Sequence, residues 1–77
     1  MNVSKFKVGD LVEARVRIYN ATYGSWHDFE IEHGTSGIVE KVEEVGGEEV
    51  FRVAWEYGNS LTVRSIAHEF QISQMGG

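Results

Sequence analysis

The stretch "GTSGIVEKVEEVGGEEVFRVAWEYGN", residues 34–59, carries most of the information about the fold. Gly34 and Gly37 bracket Thr35-Ser36 and read as a sharp corner, while Gly46-Gly47 and Gly58-Asn59 read as two-residue hairpin turns. Between those turns, Val50 to Tyr57 places Phe51, Val53, Trp55 and Tyr57 on one face, the period-two signature of a half-buried strand. Phe51, Val53 and Trp55 are predicted core, and Tyr57, beside the turn, is left open. In the preceding run, Ile38 to Val45, the alternation breaks because Val39 and Val42 are an odd number apart. A bulge would bring both to the same face.

Working outward, Val8-Gly9-Asp10 reads as a turn, and Leu11 to Tyr19 as a strand with Val12, Ala14, Val16 and Ile18 on one side. Asn20 to Thr35 is a long irregular connection with a short extended piece around Asp28 to Glu32. After the second hairpin turn, Leu61-Thr62-Val63-Arg64 continues as a strand with Leu61 and Val63 inward. Ser65 to His68 reads as a single 3₁₀ turn before a last short strand at Phe70-Gln71-Ile72. Five short strands with glycine corners and almost no helix predict an all-β fold, a small closed barrel whose closure avoids exposed edges.

The chain has 77 residues, enough for one domain, with the core expected over residues 6–72 and residues 73–77, ending in Gly76-Gly77, as a frayed tail. Cysteine is absent, so neither disulfides nor thiolate metal sites staple the domain. The first residues lack the apolar run of a secretory signal and no stretch is long and apolar enough for a membrane span, so a soluble cytoplasmic protein is expected. The formal charge is −5 and it is uneven. Residues 27–49 hold eight of the twelve acids against the single base Lys41, a local charge of −7, and the remainder carries +2. Such a field repels a phosphate backbone and favours basic partners.

The order of features resembles SH3-like barrels: a "VGDLV" opening (8–12), a long first loop, "GTSGIVEKV" (34–42), a hairpin, and a short turn before the last strand. Within that superfold it is most similar to small accessory barrels of redox complexes: the variable, non-catalytic chain of ferredoxin–thioredoxin reductase, NifZ-type proteins and the photosystem subunit PsaE. "DFEIEHGTSGIV" (28–39) and "AHEF" (67–70) carry the likeness to the first of these, although this chain has no proline in its connections. The resemblance implies a five-stranded SH3-like barrel and an accessory role. Fold alone does not give function.

His27, Asp28, Glu30, Glu32 and His33 crowd one loop, but their spacing is not that of a metal site, and a solvated acidic loop accounts for them. No metal or cofactor is predicted. Ser36, Ser60 and Ser65 lack a nucleophile elbow or a paired histidine, and Glu43-Glu44 and Glu48-Glu49 flank an exposed hairpin with no pocket to separate their pKa values. No catalytic residue is predicted. The glycine pairs precede strands, not a helix N-terminus, and so serve as corners and not as phosphate cradles.

Tyr23, Trp26 and His27, with Tyr19 nearby, stand in the polar first loop with no strand period to bury them. Either they anchor a protein partner, or the loop folds back and Trp26 caps the barrel. Together with the acidic hairpin residues Glu43, Glu44, Glu48 and Glu49 they form the expected partner-binding set, for a protein partner with a basic surface. The expected function is a non-catalytic accessory or regulatory module. The competing expectation is an acidic inhibitor that occupies the basic groove of a nucleic-acid-binding protein. Direct nucleic-acid binding would require Arg15, Arg17, Arg52 and Arg64 to gather on one basic face, against the overall charge.

Overall fold

The alternation around Trp55 becomes the centre of the sheet. The computed structural model of the chain describes residues 5–58 and 60–75, with the side chains of Asn20, Trp26 and His27 outside that description. The elements are β1 (Leu11–Ala14), β2 (Ile18–Tyr23), β3 (Trp26–Ile31), β4 (Ser36–Val45), β5 (Glu48–Tyr57), β6 (Leu61–His68), a 3₁₀ turn (Glu69–Gln71) and β7 (Ile72–Gln74). The fold is all-β and antiparallel, a seven-stranded sheet in the order β3-β2-β6-β5-β4-β1-β7. Its edges are β3 and β7, so the sheet of the described residues is open, without the closure expected of a small barrel.

The β4–β5 hairpin is the longest ladder, from Gly37 opposite Trp55 to Val45 opposite Glu48. Its turn is made by Gly46 and Gly47 at φ +59° and +82°, the left-handed pair that a two-residue hairpin of matching twist requires. The expected bulge is present: Val39 pairs with Val53 but Lys41 with Arg52, so Glu40 is the extra residue. Val39 is thereby buried and Val42 packs at the edge of the same core.

Phe51, Val53 and Trp55 are fully buried, joined by Phe6, Val12, Ala14, Ile18, Ala21, Ile31, Val39, Val63, Ala67 and Ile72 in a single cluster. Every strand contributes to that cluster, so the sheet bends over one core. Phe6, ahead of β1, closes against Phe51 edge-on at 5.2 Å. The Trp55 indole N–H donates to Ser65 Oγ at 2.8 Å, which satisfies the polar atom of the largest core residue. Gly37 is required where it pairs with Trp55: a Cβ there would lie 2.7 Å from Val53 Cγ1 and 2.8 Å from Trp55 Cε3.

Five expectations about the elements are revised. The strand expected over 11–19 is broken at 15–17, where the Arg15 N–H leaves the sheet to donate to Gln71 O and Val16 turns outward. The irregular first connection is a hairpin, so the described residues form seven strands and not five. The turn expected at Ser65 to His68 is strand, because Ser65 and Ala67 continue the inward face of β6; the 3₁₀ turn follows at Glu69–Gln71 and leaves Phe70 exposed. Pairing continues past residue 72, with Ser73 opposite Glu13 and Gln74 opposite Val12, since ladder hydrogen bonds need no apolar side chains. At the last hairpin Tyr57 pairs with Leu61, so residues 58–60 connect the strands; Asn59 lies outside the described residues.

Candidate functional site

The first hairpin, β2–β3, is built unlike the rest of the sheet. Ile18 pairs with Ile31, Ala21 with Phe29 and Tyr23 with Trp26, with a register shift between each pair and the next. One extra residue falls on β2 and one on β3, where Asp28 adopts φ +74°, a conformation that the short polar Asp tolerates. Bulges tighten the right-handed twist, so the hairpin coils. Its inner residues Ile18, Ala21 and Ile31 enter the core, and Phe29 packs edge-on against Tyr57 at 5.4 Å. Tyr57 is thus held at the margin of the core.

Tyr19 and Tyr23 point away, 59% and 47% exposed. Against β6 the hairpin's registered partners among the described residues are Thr22 and Arg64. Trp26 and His27 belong to β3, with Trp26 directly across the turn from Tyr23, and their side chains lie outside the described residues. At the base of the hairpin, Arg17 reaches Glu32 Oε1 at 3.2 Å and Glu30 Oε1 at 3.8 Å. Glu32, and after it Tyr19, raises the Arg17 pKa above its ordinary value.

The acidic hairpin is at the other end of β5. Its turn adjoins Glu48, whereas the row Thr22–Arg64–Ala54 marks where β2 meets the sheet. Six residues of strand separate Glu48 from Ala54, roughly 20 Å at about 3.3 Å per residue. Tyr23 at the hairpin tip therefore lies apart from Glu48 and the turn it adjoins, whereas Glu43 is nearer the tip, since its partner Arg52 lines one hollow with Thr22 and Gly24. Glu44 and Glu49 stand directly opposite each other, a like-charged pairing that costs stability. Glu48 Oε2 lies 2.8 Å from His68 Nδ1, and the His68 ring stacks on Phe70. Glu43 is half-buried beside Arg52 at 3.6 Å, with Oε2 enclosed and without a hydrogen bond.

The arginines do not form a bare basic face. Arg17 meets Glu30 and Glu32, Arg52 meets Glu43, and Arg64 Nε donates to Glu40 Oε1 at 2.9 Å. Only Arg15 among the four has no acidic partner within the described residues. Each exposed pair contributes about 0–1 kcal/mol, so their main effect is on the surface field. The acidic segment that stands out along the chain is in space threaded with arginines from neighbouring strands. Among the described residues, no group of three or more His, Asp or Glu converges as metal ligands, and no helix is long and apolar enough to cross a membrane.

Reading the sequence missed a second feature: Leu11, Ile38 and Met75 are exposed on the outside of the sheet. The signal was present in the doublets Leu11-Val12 and Ile38-Val39, because in a strand one member of each doublet must face outward. Compared with protein-family models, with curated proteins and with solved structures, the chain has no significant match.

Proposed function

We propose that the chain is a non-catalytic protein-binding module built on an SH3-like barrel, with the β2–β3 hairpin as its principal contact element. The barrel reading is supported by the chain order: a first strand, a long hairpin, a three-stranded meander, a 3₁₀ turn, and a last strand that pairs back onto the first. The observation that carries the function is the exposure of Tyr19 and Tyr23 on a coiled arm whose inner face is packed in the core. Tyrosine offers a large rigid face at small entropic cost and is enriched among binding hot spots. A fold this small gains nothing by leaving two such rings in water. Asp28, Glu30 and Glu32 line the same arm against the single cation Arg17, which suits a partner with basic residues around an apolar centre.

The test is calorimetry with the partner recovered from a source lysate, at low and physiological salt. Tyr23→Ala is expected to lose at least about 2 kcal/mol of binding, the hot-spot threshold. Replacing Glu43, Glu44, Glu48 and Glu49 together by Gln is expected to lose less at physiological salt, since screened rim charges act mainly on association rate. The opposite ranking with a steep salt dependence would identify an acidic blocker of a basic groove instead.

A further inference from the structure

The two edges of the sheet are unequal. β7 is three residues long, and shortness is one way a sheet blunts an edge. β3 is six residues long, and among the described residues its only strand partner is β2, with no backbone hydrogen bond to any other segment. From Asp28 to Glu32 exposure alternates along the chain: Asp28, Glu30 and Glu32 are exposed, while Phe29 and Ile31 turn inward. Ile31 is sealed in the core, whereas Phe29 and the Tyr57 ring it meets edge-on are only partly buried. Arg17 answers Glu30 and Glu32, and Asp28 has no ion-pair partner among the described residues. The free edge thus carries backbone donors and acceptors between an apolar margin on one face and a row of acids on the other.

We propose that the partner adds an extended segment to this edge as a further strand, its basic side chains alternating with apolar ones. The proposal rests on the reading of the β2–β3 hairpin as the contact element and names what that element takes. Strand addition draws affinity from main-chain hydrogen bonds and specificity from alternate side chains. Inward positions of the added strand lie beside Phe29 and continue its apolar margin. Outward positions lie beside Asp28, Glu30 and Glu32, where Lys or Arg is favoured and Asp or Glu is opposed. The same acids keep a second copy of the chain from this edge, since two β3 strands brought together would set acid against acid. Charge therefore selects a basic segment as the occupant. The extra residue at Asp28 limits the regular part of the ladder to a few residues, so the segment alone binds weakly. β2, with Tyr19 and Tyr23, lies one strand spacing of about 5 Å further in.

A synthetic probe, the acetylated and amidated hexapeptide Lys-Val-Lys-Val-Lys-Val, titrated into the isotope-labelled full chain and followed by amide NMR, tests the proposal. Binding is expected in the upper micromolar range or above, with shift changes and slowed exchange centred on the β3 amides. The same peptide with every backbone nitrogen methylated keeps its side chains and charge but donates no ladder hydrogen bond. The peptide Glu-Val-Glu-Val-Glu-Val keeps the backbone and reverses the charge. Each is expected to bind roughly tenfold more weakly or worse. Glu30→Lys with Glu32→Lys, both at exposed positions, is expected to exchange the preference between the lysine and glutamate peptides. Tyr23→Ala against the recovered partner judges the hairpin reading, and the probe, which needs no partner, judges strand addition, so the two fail separately. No binding at millimolar probe overturns the proposal. So do equal affinities for the methylated and unmethylated peptides, a preference that the lysine variant does not exchange, or shifts centred on β7 or on the turn at Gly46 and Gly47.

Discussion

The two hairpins β4–β5 and β2–β3 use the same local chemistry to opposite ends. In the first, ten-residue strands pair along their length with one bulge, and a glycine pair closes the turn. Its inward face supplies Phe51, Val53 and Trp55, and the rest of the molecule is assembled on it. In the second, six-residue strands carry two register shifts, contribute smaller inward residues and turn two tyrosines outward. A regular ladder holds a broad apolar face to one side and so makes a core. A bulged, coiled ladder spends its regularity on aiming side chains outward. If the proposed function holds, the first hairpin serves stability and the second recognition, and substitutions in each should read out different properties.

The largest expected effect is Trp55→Ala. The ring is fully buried at the centre of the regular hairpin, and losing a large core aromatic costs about 3–5 kcal/mol. Domains of this kind hold about 5 kcal/mol in total at the lower end, so denaturant titration should find this variant unfolded or nearly so. A variant with near-native stability would remove β4–β5 from its central place.

Gly37→Ala should follow. The added methyl would sit 2.9 Å from the Ala54 carbonyl oxygen as well as against Val53 and Trp55, and backbone cannot swing aside as a side-chain tip does. Overpacking of this kind costs about 1–3 kcal/mol, visible as a lowered denaturation midpoint at unchanged slope. Ser65→Ala is expected to cost at the lower end of about 1–3 kcal/mol, the penalty for leaving the buried Trp55 N–H without an acceptor. Ser65→Thr, which keeps the hydroxyl, separates that loss from a packing effect: it should retain most of the hydrogen-bond contribution.

Ser65 also shows what the sequence could not reveal. The inner face of β5 was legible because large apolar residues alternate with polar ones, and the bulge at Glu40 because Val39 and Val42 are out of phase. The second half of β6 was not, since its inward positions are Ser65 and Ala67, a polar residue and a small one that give no hydrophobic period. The same reasoning fails at Val16, where alternation continues along the chain after the strand itself has ended. In β2–β3 the bulges destroy the period outright. The ion pairs of Arg17, Arg52 and Arg64 join segments brought together only by strand order and register. Charge counted along residues 27–49 therefore left out the arginines that neighbouring strands bring to it, and the exposure of Tyr23, which the sequence left open, follows from its place at the end of β2.

Tyr23 gives the smallest effect on stability and the sharpest test of the contrast. It ends β2 at the hairpin tip, nearly half exposed, outside the core cluster and next to the turn, one residue past the Thr22–Arg64 pair, while the arm is held through Ile18, Ala21 and Ile31. Surface substitutions without such ties change stability by no more than about 0.5 kcal/mol, so Tyr23→Ala should unfold with the wild type. Amide hydrogen exchange should report the same division without any partner: slow exchange in β5, where each strand neighbour is paired over most of its length, and faster exchange in β2, whose openings need break only local contacts. If Tyr23→Ala lowered stability as much as Ser65→Ala, the arm would belong to the structural unit, and exposure there would no longer argue for recognition. If it left stability intact while abolishing binding, the two hairpins would be divided in function as they are in geometry.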